Sequence, residues 1–137
     1  MLSAETIEFQ PIGDVRGELV ALEGKRNIPF EIKRVYYMTG LSPEIPRGFH
    51  AHRKLEQIAI CVMGSCRFIL DDGRFRKEVW LRTSRQGLYI GNMVWREMHD
   101  FTRDCVLMVL ASEVYDEADY IRDYEVFRSQ ASKDEKS

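Results

Sequence analysis

Apolar and polar positions along this chain alternate over short distances. Runs rich in β-branched and aromatic residues are cut at frequent intervals by Gly, Pro, Asp or Asn, the pattern of strands joined by turns. They cover Ile32 to Met38, Gln57 to Met63, Cys66 to Leu70, Val79 to Leu81, Gly87 to Ile90 and Cys105 to Ala111. Two of the breaks read as hairpin turns. Asp71-Asp72-Gly73 offers a residue free to take positive φ, and Met63-Gly64-Ser65 offers the same between two apolar runs. Many short strands with regular turns predict an all-β antiparallel sandwich or barrel. The period changes only near the C-terminus. Tyr120, Ile121, Tyr124 and Phe127 recur at helix-like intervals within Tyr115 to Phe127, with Asp116 placed to cap, so a short C-terminal helix is expected there. Residues 129–137 carry no large apolar side chain and read as a flexible tail after a single domain over residues 1–128.

Length and composition narrow the function. The 137 residues are enough for one domain with its own core, and 45% hydrophobic with 31% charged residues is a globular balance. A formal charge of −2 argues against a nucleic-acid partner, which needs clustered excess Lys and Arg. No apolar run approaches the roughly 20 residues that span a bilayer, so no membrane partner is expected. The opening residues, Met1-Leu2-Ser3-Ala4-Glu5, lack the basic and apolar segments of a secretory leader. Cys61, Cys66 and Cys105 are odd in number and have no metal-finger spacing. They read as reduced, apolar residues of a cytoplasmic protein.

The chemistry gathers at one stretch, Pro46-Arg47-Gly48-Phe49-His50-Ala51-His52-Arg53-Lys54-Leu55-Glu56-Gln57. Pro46 and Gly48 mark the turn that starts a strand, and strand alternation sends His50, His52 and Glu56 to one face. Two imidazoles and a carboxylate facing a cavity serve as metal ligands or as acid–base groups. The spacing H-x-H-x-x-x-E after a glycine resembles the first motif of the cupin superfamily of small β-barrels. The stretch matching its second motif, Gly91 to His99, has Arg96 where the last ligand is expected. A guanidinium has no lone pair to give and repels cations, and His99 points to the opposite strand face, so the metal set is incomplete. Neither a metal nor any other cofactor is expected, and the histidines become candidate proton carriers. Arg16, Arg34, Arg47 and Arg96 stand beside glycine turns or on apolar strands, where a charge needs a partner. Arg34 and Tyr36 share a strand face that could join the histidines. Taken together, the arginines suit a dianionic or pyrophosphate ligand.

Longer blocks then carry a more specific resemblance. They are Ile28 to Tyr37, Arg47 to Gln57, Gly87 to Gly91, Val94 to Met98, and Val109 to Ser112 continuing through Tyr115 to Arg122. From about Phe9 to Phe127 the chain resembles the metal-independent cupin sugar-nucleotide 3,4-ketoisomerases, which act on dTDP-4-keto-6-deoxy-D-glucose. The resemblance implies a cupin or jelly-roll β-barrel and an isomerase that exchanges hydroxyl and carbonyl between C3 and C4 through an enediol, ahead of a 3-aminotransferase. It implies His52 as principal base, His50 as relay and Tyr36 as a proton-transfer or oxyanion group. The substrate-holding set it implies is Arg16, Arg34, Arg47, Lys54, Trp95 and Arg96, with Arg34 and Arg47 on the diphosphate. Trp95 equally fits a core, thymine stacking or an interface. On product configuration two positions point opposite ways: Arg96 resembles the gluco-forming members and Arg16 the galacto-forming ones. The balance tips to the gluco product. A homodimer with exchanged N-terminal strands is also implied. The competing readings are a dTDP-sugar 3,5-epimerase and a non-catalytic sugar-binding cupin.

Overall fold

The structure, a computed structural model, describes residues 2–136, with side chains through 133. Ten of its strands form two five-stranded antiparallel sheets. The first runs in the order β1 (Ala4–Glu8), β9 (Gln86–Ile90), β6 (Gln57–Met63), β11 (Val106–Ala111), β4 (Arg34–Met38). The second runs β12 (Tyr120–Ile121), β5 (Arg47–His52), β10 (Trp95–His99), β7 (Cys66–Asp71), β8 (Arg76–Leu81). A hairpin of β2 (Ile12–Asp14) and β3 (Gly17–Leu19) stands apart from both. Among the described residues no strand of one sheet pairs with a strand of the other. The expected barrel is therefore an open jelly-roll sandwich, its layers joined by side chains rather than by backbone hydrogen bonds.

Three apolar layers explain why the central strands read as continuous rather than alternating runs. Ala59, Cys61, Phe68, Leu88, Leu107 and Val109 meet between the sheets. On the outer face of the first sheet, Ile58, Ile60 and Leu110 lie under Phe9, Ile28 and Phe30 of the N-terminal segment. On the outer face of the second, Ala51, Trp95 and Ile121 lie under Phe127 and Ala131 of helix α1 (Tyr124–Lys136). The three cysteines are free and fully inside the inter-sheet layer, with Cys61 Sγ 3.5 Å from Cys66 Sγ and 3.8 Å from Cys105 Sγ.

The Asp71–Gly73 hairpin forms as expected: β7 pairs with β8, and Gly73 has φ +96°. The Met63–Ser65 break does not make a hairpin. Gly64 does take φ +73°, but β6 and β7 belong to different sheets, so the turn is a corner that carries the chain across the sandwich. The helix is shifted as well. Tyr120 and Ile121 pair with His52 and Ala51 as strand β12, so the helix begins only at Tyr124, where the Asp123 carboxylate accepts the Val126 amide at 3.0 Å. Asp116 instead caps a 3₁₀ turn over Glu117–Asp119. The helix then continues to Lys136, through residues expected to be a loose tail. Phe127 and Ala131, four apart, give it one buried stripe.

Candidate active site

β4 lies at one edge of its sheet and β5 near the facing edge of the other. Between them opens a cavity of about 640 Å³. Alternation on β4 sends Arg34, Tyr36 and Met38 inward and leaves Val35 and Tyr37 exposed. From the opposite wall come Arg47, His50, Tyr120 and Arg122.

A bulge in β5 sets the histidines. Arg96 of β10 pairs with His50, whereas the next residue, Glu97, pairs with Gly48, so Phe49 is left over. Gly48 and Phe49 both have positive φ, +95° and +58°. A Cβ on Gly48 would stand 3.0 Å from the Arg96 carbonyl oxygen, so glycine is required there. The extra residue lets Arg47 and His50 line the same wall.

The two imidazoles lie edge to face, ring centroids 4.9 Å apart, and Tyr120 touches both, at 5.0 Å from His50 and 4.4 Å from His52. They are not equally placed. His50 lines the large cavity, whereas His52 is 0% exposed and lines a smaller one of about 100 Å³ beyond Tyr120. His52 Nδ1 is 3.3 Å from Asp119 Oδ2, and the Asp119 carboxylate also accepts the amides of Lys54 (2.8 Å) and Leu55 (3.2 Å). Burial, and secondarily the Arg96 cation, push His52 down to about 2; the same two causes push His50 down to about 4. Both rings are thus neutral near pH 7. The proton of His52 sits on Nδ1, donated to Asp119, because a carboxylate can only accept. The lone pair is then on Nε2, which is buried without a partner.

This fixes a sign for acid stability. Unfolded, the imidazoles titrate near 6.5; folded, they take protons only near 4 and 2. Between those limits the unfolded chain binds more protons, so stability falls as pH drops from 6.5 towards 4. Urea unfolding over that range is expected to show a loss of at most about 1.4 kcal/mol per pH unit per ring. The slope should shrink in a His52→Asn variant. A slope that is unchanged in that variant would mean that His52 is already charged inside the fold.

Three arginines reach the large cavity, and they differ in what balances them. Arg122 is clasped by Glu117 through two contacts of 2.9 Å. Arg34 and Arg47 have no carboxylate within 4.0 Å among the described residues. Arg34 lies against the rings of Tyr36 (5.2 Å) and Tyr115 (5.7 Å), and its Nε is buried without an acceptor. Behind this wall, Arg96 is 2% exposed and crosses from one sheet to the other. It donates to the side-chain oxygen of Gln57 and to the Val94 carbonyl (3.0 Å), and Gln57 Nε2 lies 3.0 Å from the Tyr36 hydroxyl.

Several expected site residues are elsewhere. Arg16 sits on the exposed β2–β3 hairpin, held by Asp14. The Lys54 side chain is exposed and lines neither cavity; only its amide contributes, to Asp119. Trp95 faces outward, packed on Tyr124 and Phe127, with Nε1 donating to Glu97 at 3.0 Å, so the core role applies. Arg96 lies behind the cavity wall rather than on it. Glu56 falls after β5 has ended and accepts from the Tyr89 hydroxyl. His99, as its strand phase predicts, is on the outer face beside Glu97. Conversely, Gln57, Asp119, Tyr120 and Arg122 belong to the site and carry no sequence signal of chemistry on their own.

A cation is poorly served by the histidine pair, since Arg96 stands cross-strand from His50 and depresses both rings. Among the described residues, the grouping whose ligand atoms lie close enough together to hold an ion is instead the buried cysteine trio, none of which lines this cavity.

Comparison with known proteins matches residues 3–132 to the family described as FdtA: WxcM-like, C-terminal. A curated relative from Aneurinibacillus thermoaerophilus, a TDP-4-oxo-6-deoxy-alpha-D-glucose-3,4-oxoisomerase, is 57% identical over 129 residues, 94% of this chain and 93% of the relative. Among solved structures, a mutant of the QdtA 3,4-ketoisomerase of Thermoanaerobacterium thermosaccharolyticum in complex with TDP-4-keto-6-deoxyglucose is 48% identical. It superposes with a TM-score of 0.94, over 97% of this chain and 96% of that one. The WlaRB TDP-quinovose 3,4-ketoisomerase of Campylobacter jejuni is 47% identical with a TM-score of 0.89, over 92% and 97%.

Proposed function

The chain belongs to the FdtA family of sugar-nucleotide 3,4-ketoisomerases, and we propose that it converts dTDP-4-keto-6-deoxy-D-glucose to a dTDP-3-keto-6-deoxyhexose. The observation that carries the reading is the juxtaposition of two neutral imidazoles with two arginines that no carboxylate among the described residues balances. Arg34 and Arg47 take the diphosphate, whose oxygens match guanidinium forks. The sugar then lies against His50. A neutral imidazole removes the C3 proton and the C4 carbonyl oxygen becomes an enediolate; the C3 hydroxyl passes its proton to that oxygen, and the proton returned at C4 leaves the ketone at C3 and a hydroxyl at C4. Hydroxyl and carbonyl exchange places with no net redox change.

We assign the two histidines in the reverse of the order expected from the sequence, on the ground of which ring the cavity reaches. His50 lines the cavity and acts as base; His52, behind it and oriented by Asp119, is the relay. Basicity in the free protein is low chiefly because both rings are buried; the negative charge of a bound diphosphate opposes the smaller arginine contribution and so acts to raise both. The gluco configuration at C4 is the favoured product. Arg96 is a buried, hydrogen-bonded cation and a poor proton shuttle, and His99, which could have served the sugar's other face, points away.

Product NMR after incubation with the 4-keto substrate in heavy water tests the reading. A ketone at C3 with deuterium at C4 is expected. A ketone that stays at C4 overturns it in favour of an epimerase, and the absence of any label in favour of a binding module.

The working state in this reading is a cytoplasmic homodimer. Ile12, Val15 (104% exposed) and Leu19 on the hairpin, with Val35 and Tyr37 on edge strand β4, offer apolar surface that a second copy would cover. The exchange of N-terminal strands in this reading includes the protruding β2–β3 hairpin, which pairs with neither sheet of its own chain. Light scattering is expected to give twice the chain mass, and a Val15→Asp, Leu19→Asp variant to give a monomer. A monomeric parent would overturn the assignment.

A further inference from the structure

Tyr36 lines the cavity beside His50, and a phenol in that place can present to a ligand either its lone pair or its proton. Which it presents is settled two residues away. Arg96 carries only donors, so the Gln57 atom that faces it is the amide oxygen. The amide nitrogen then necessarily faces Tyr36, and an NH₂ group can only donate. The Tyr36 oxygen therefore accepts from Gln57 at 3.0 Å, and its own hydrogen has to point elsewhere. No other described hydrogen-bond partner of that hydroxyl exists within the chain. The free direction is the cavity.

The chain of donors is built to hold this polarity. Gln57 is 4% exposed and opens the central strand β6, flanked by Ile90 and Ala111, so its side chain has little freedom. Arg96 is fixed by the Val94 carbonyl and reaches Gln57 from the opposite sheet. A buried guanidinium bound to two neutral oxygens is costly, and packing alone does not require it. A role in orienting the amide accounts for its presence.

Resting on the ketoisomerase reading, we propose that Gln57, set by Arg96, is a positioning residue that aims the Tyr36 O–H at the oxygen on which negative charge develops. Tyr36 keeps its proton throughout and lends it as a hydrogen bond to the enediolate. No bond to hydrogen breaks there, and the carbon-bound protons remain the business of the histidines.

Gln57→Glu tests this by reversing one link with almost no change in volume. A carboxylate accepts from Arg96 at one oxygen and from the Tyr36 O–H at the other, which turns the phenolic proton away from the sugar. Losing one oxyanion donor lowers kcat by about 10²-fold or more, and KM should stay within about threefold of wild type. Tyr36→Phe should lose a similar factor, and the double variant should be no worse than Tyr36→Phe alone, because both remove the same hydrogen bond. Wild-type kcat in folded Gln57→Glu, or in Tyr36→Phe, overturns the proposal, as do single losses that multiply in the double variant. A second readout needs neither turnover nor that variant's folding. In protein with ¹³Cζ-labelled tyrosines, Tyr36→Phe assigns the Tyr36 signal, and Gln57→Glu, or Gln57→Met if the former is unfolded, should shift it while leaving the other tyrosines in place. An unmoved Tyr36 signal overturns the relay. If wild-type protein itself moves no ketone, the functional reading fails instead, and the ¹³C signal still decides the relay.

Discussion

Asparagine at position 50 is expected to lower kcat about 10³-fold, the middle of the range that one general base supplies, while the protein still folds and still binds TDP. His50 stands on the cavity wall and is only partly buried, so its loss removes chemistry and little packing. His52→Asn should behave differently. That ring is fully enclosed, touches His50 and Tyr120, and donates to Asp119, so its removal should lower both turnover and thermal stability. Deuterium exchange separates the roles further. In heavy water His50→Asn should wash no label into the sugar, because the C3 proton is never removed. His52→Asn should still exchange slowly at C3, since the base remains and only its relay is gone. Full exchange in His50→Asn together with none in His52→Asn would reverse the assignment and restore His52 as the base.

That assignment shows where sequence reasoning stops. The H-x-H spacing places both rings on one strand face, and the structure does put them together. It cannot tell which of the two the cavity reaches, because that depends on Tyr120, which arrives from a strand almost 70 positions later and stands against both. Asp119 was hidden for the same reason: its partners are the ring of His52 and two amides, 64 to 67 residues away. The strand β6 was legible end to end because both of its faces are buried for most of its length. The Met63–Ser65 corner was not, since a glycine at positive φ serves a hairpin and a change of sheet equally well. Tyr120 and Ile121 fit a helical period with Tyr124 and Phe127, yet pairing with β5 claimed them for a strand. Arg34 and Tyr36 were correctly placed by alternation alone, which is the one signal that needs no knowledge of partners.

Arg34 is where the cavity has most to gain from an anion, and its removal should have the second large effect. Its guanidinium meets only aromatic rings and leaves Nε buried and unpaired, an arrangement that is unfavourable until a ligand oxygen arrives. Hydrogen bonds to charged groups contribute about 1.5–3 kcal/mol, so Arg34→Met should weaken TDP binding by roughly 10- to 100-fold in a calorimetric titration. Arg34→Lys should recover only part of this, since a single ammonium replaces the charge but not the fork. Arg122→Met should cost far less, because Glu117 already balances that cation. The sign of the stability change gives an independent check. Without ligand, Arg34→Met no longer buries an unpaired donor and should melt no lower than wild type, whereas the rise in melting temperature on adding TDP should nearly vanish. Unchanged TDP affinity in a folded Arg34→Met protein would remove Arg34 from the diphosphate site and leave that role to Arg47.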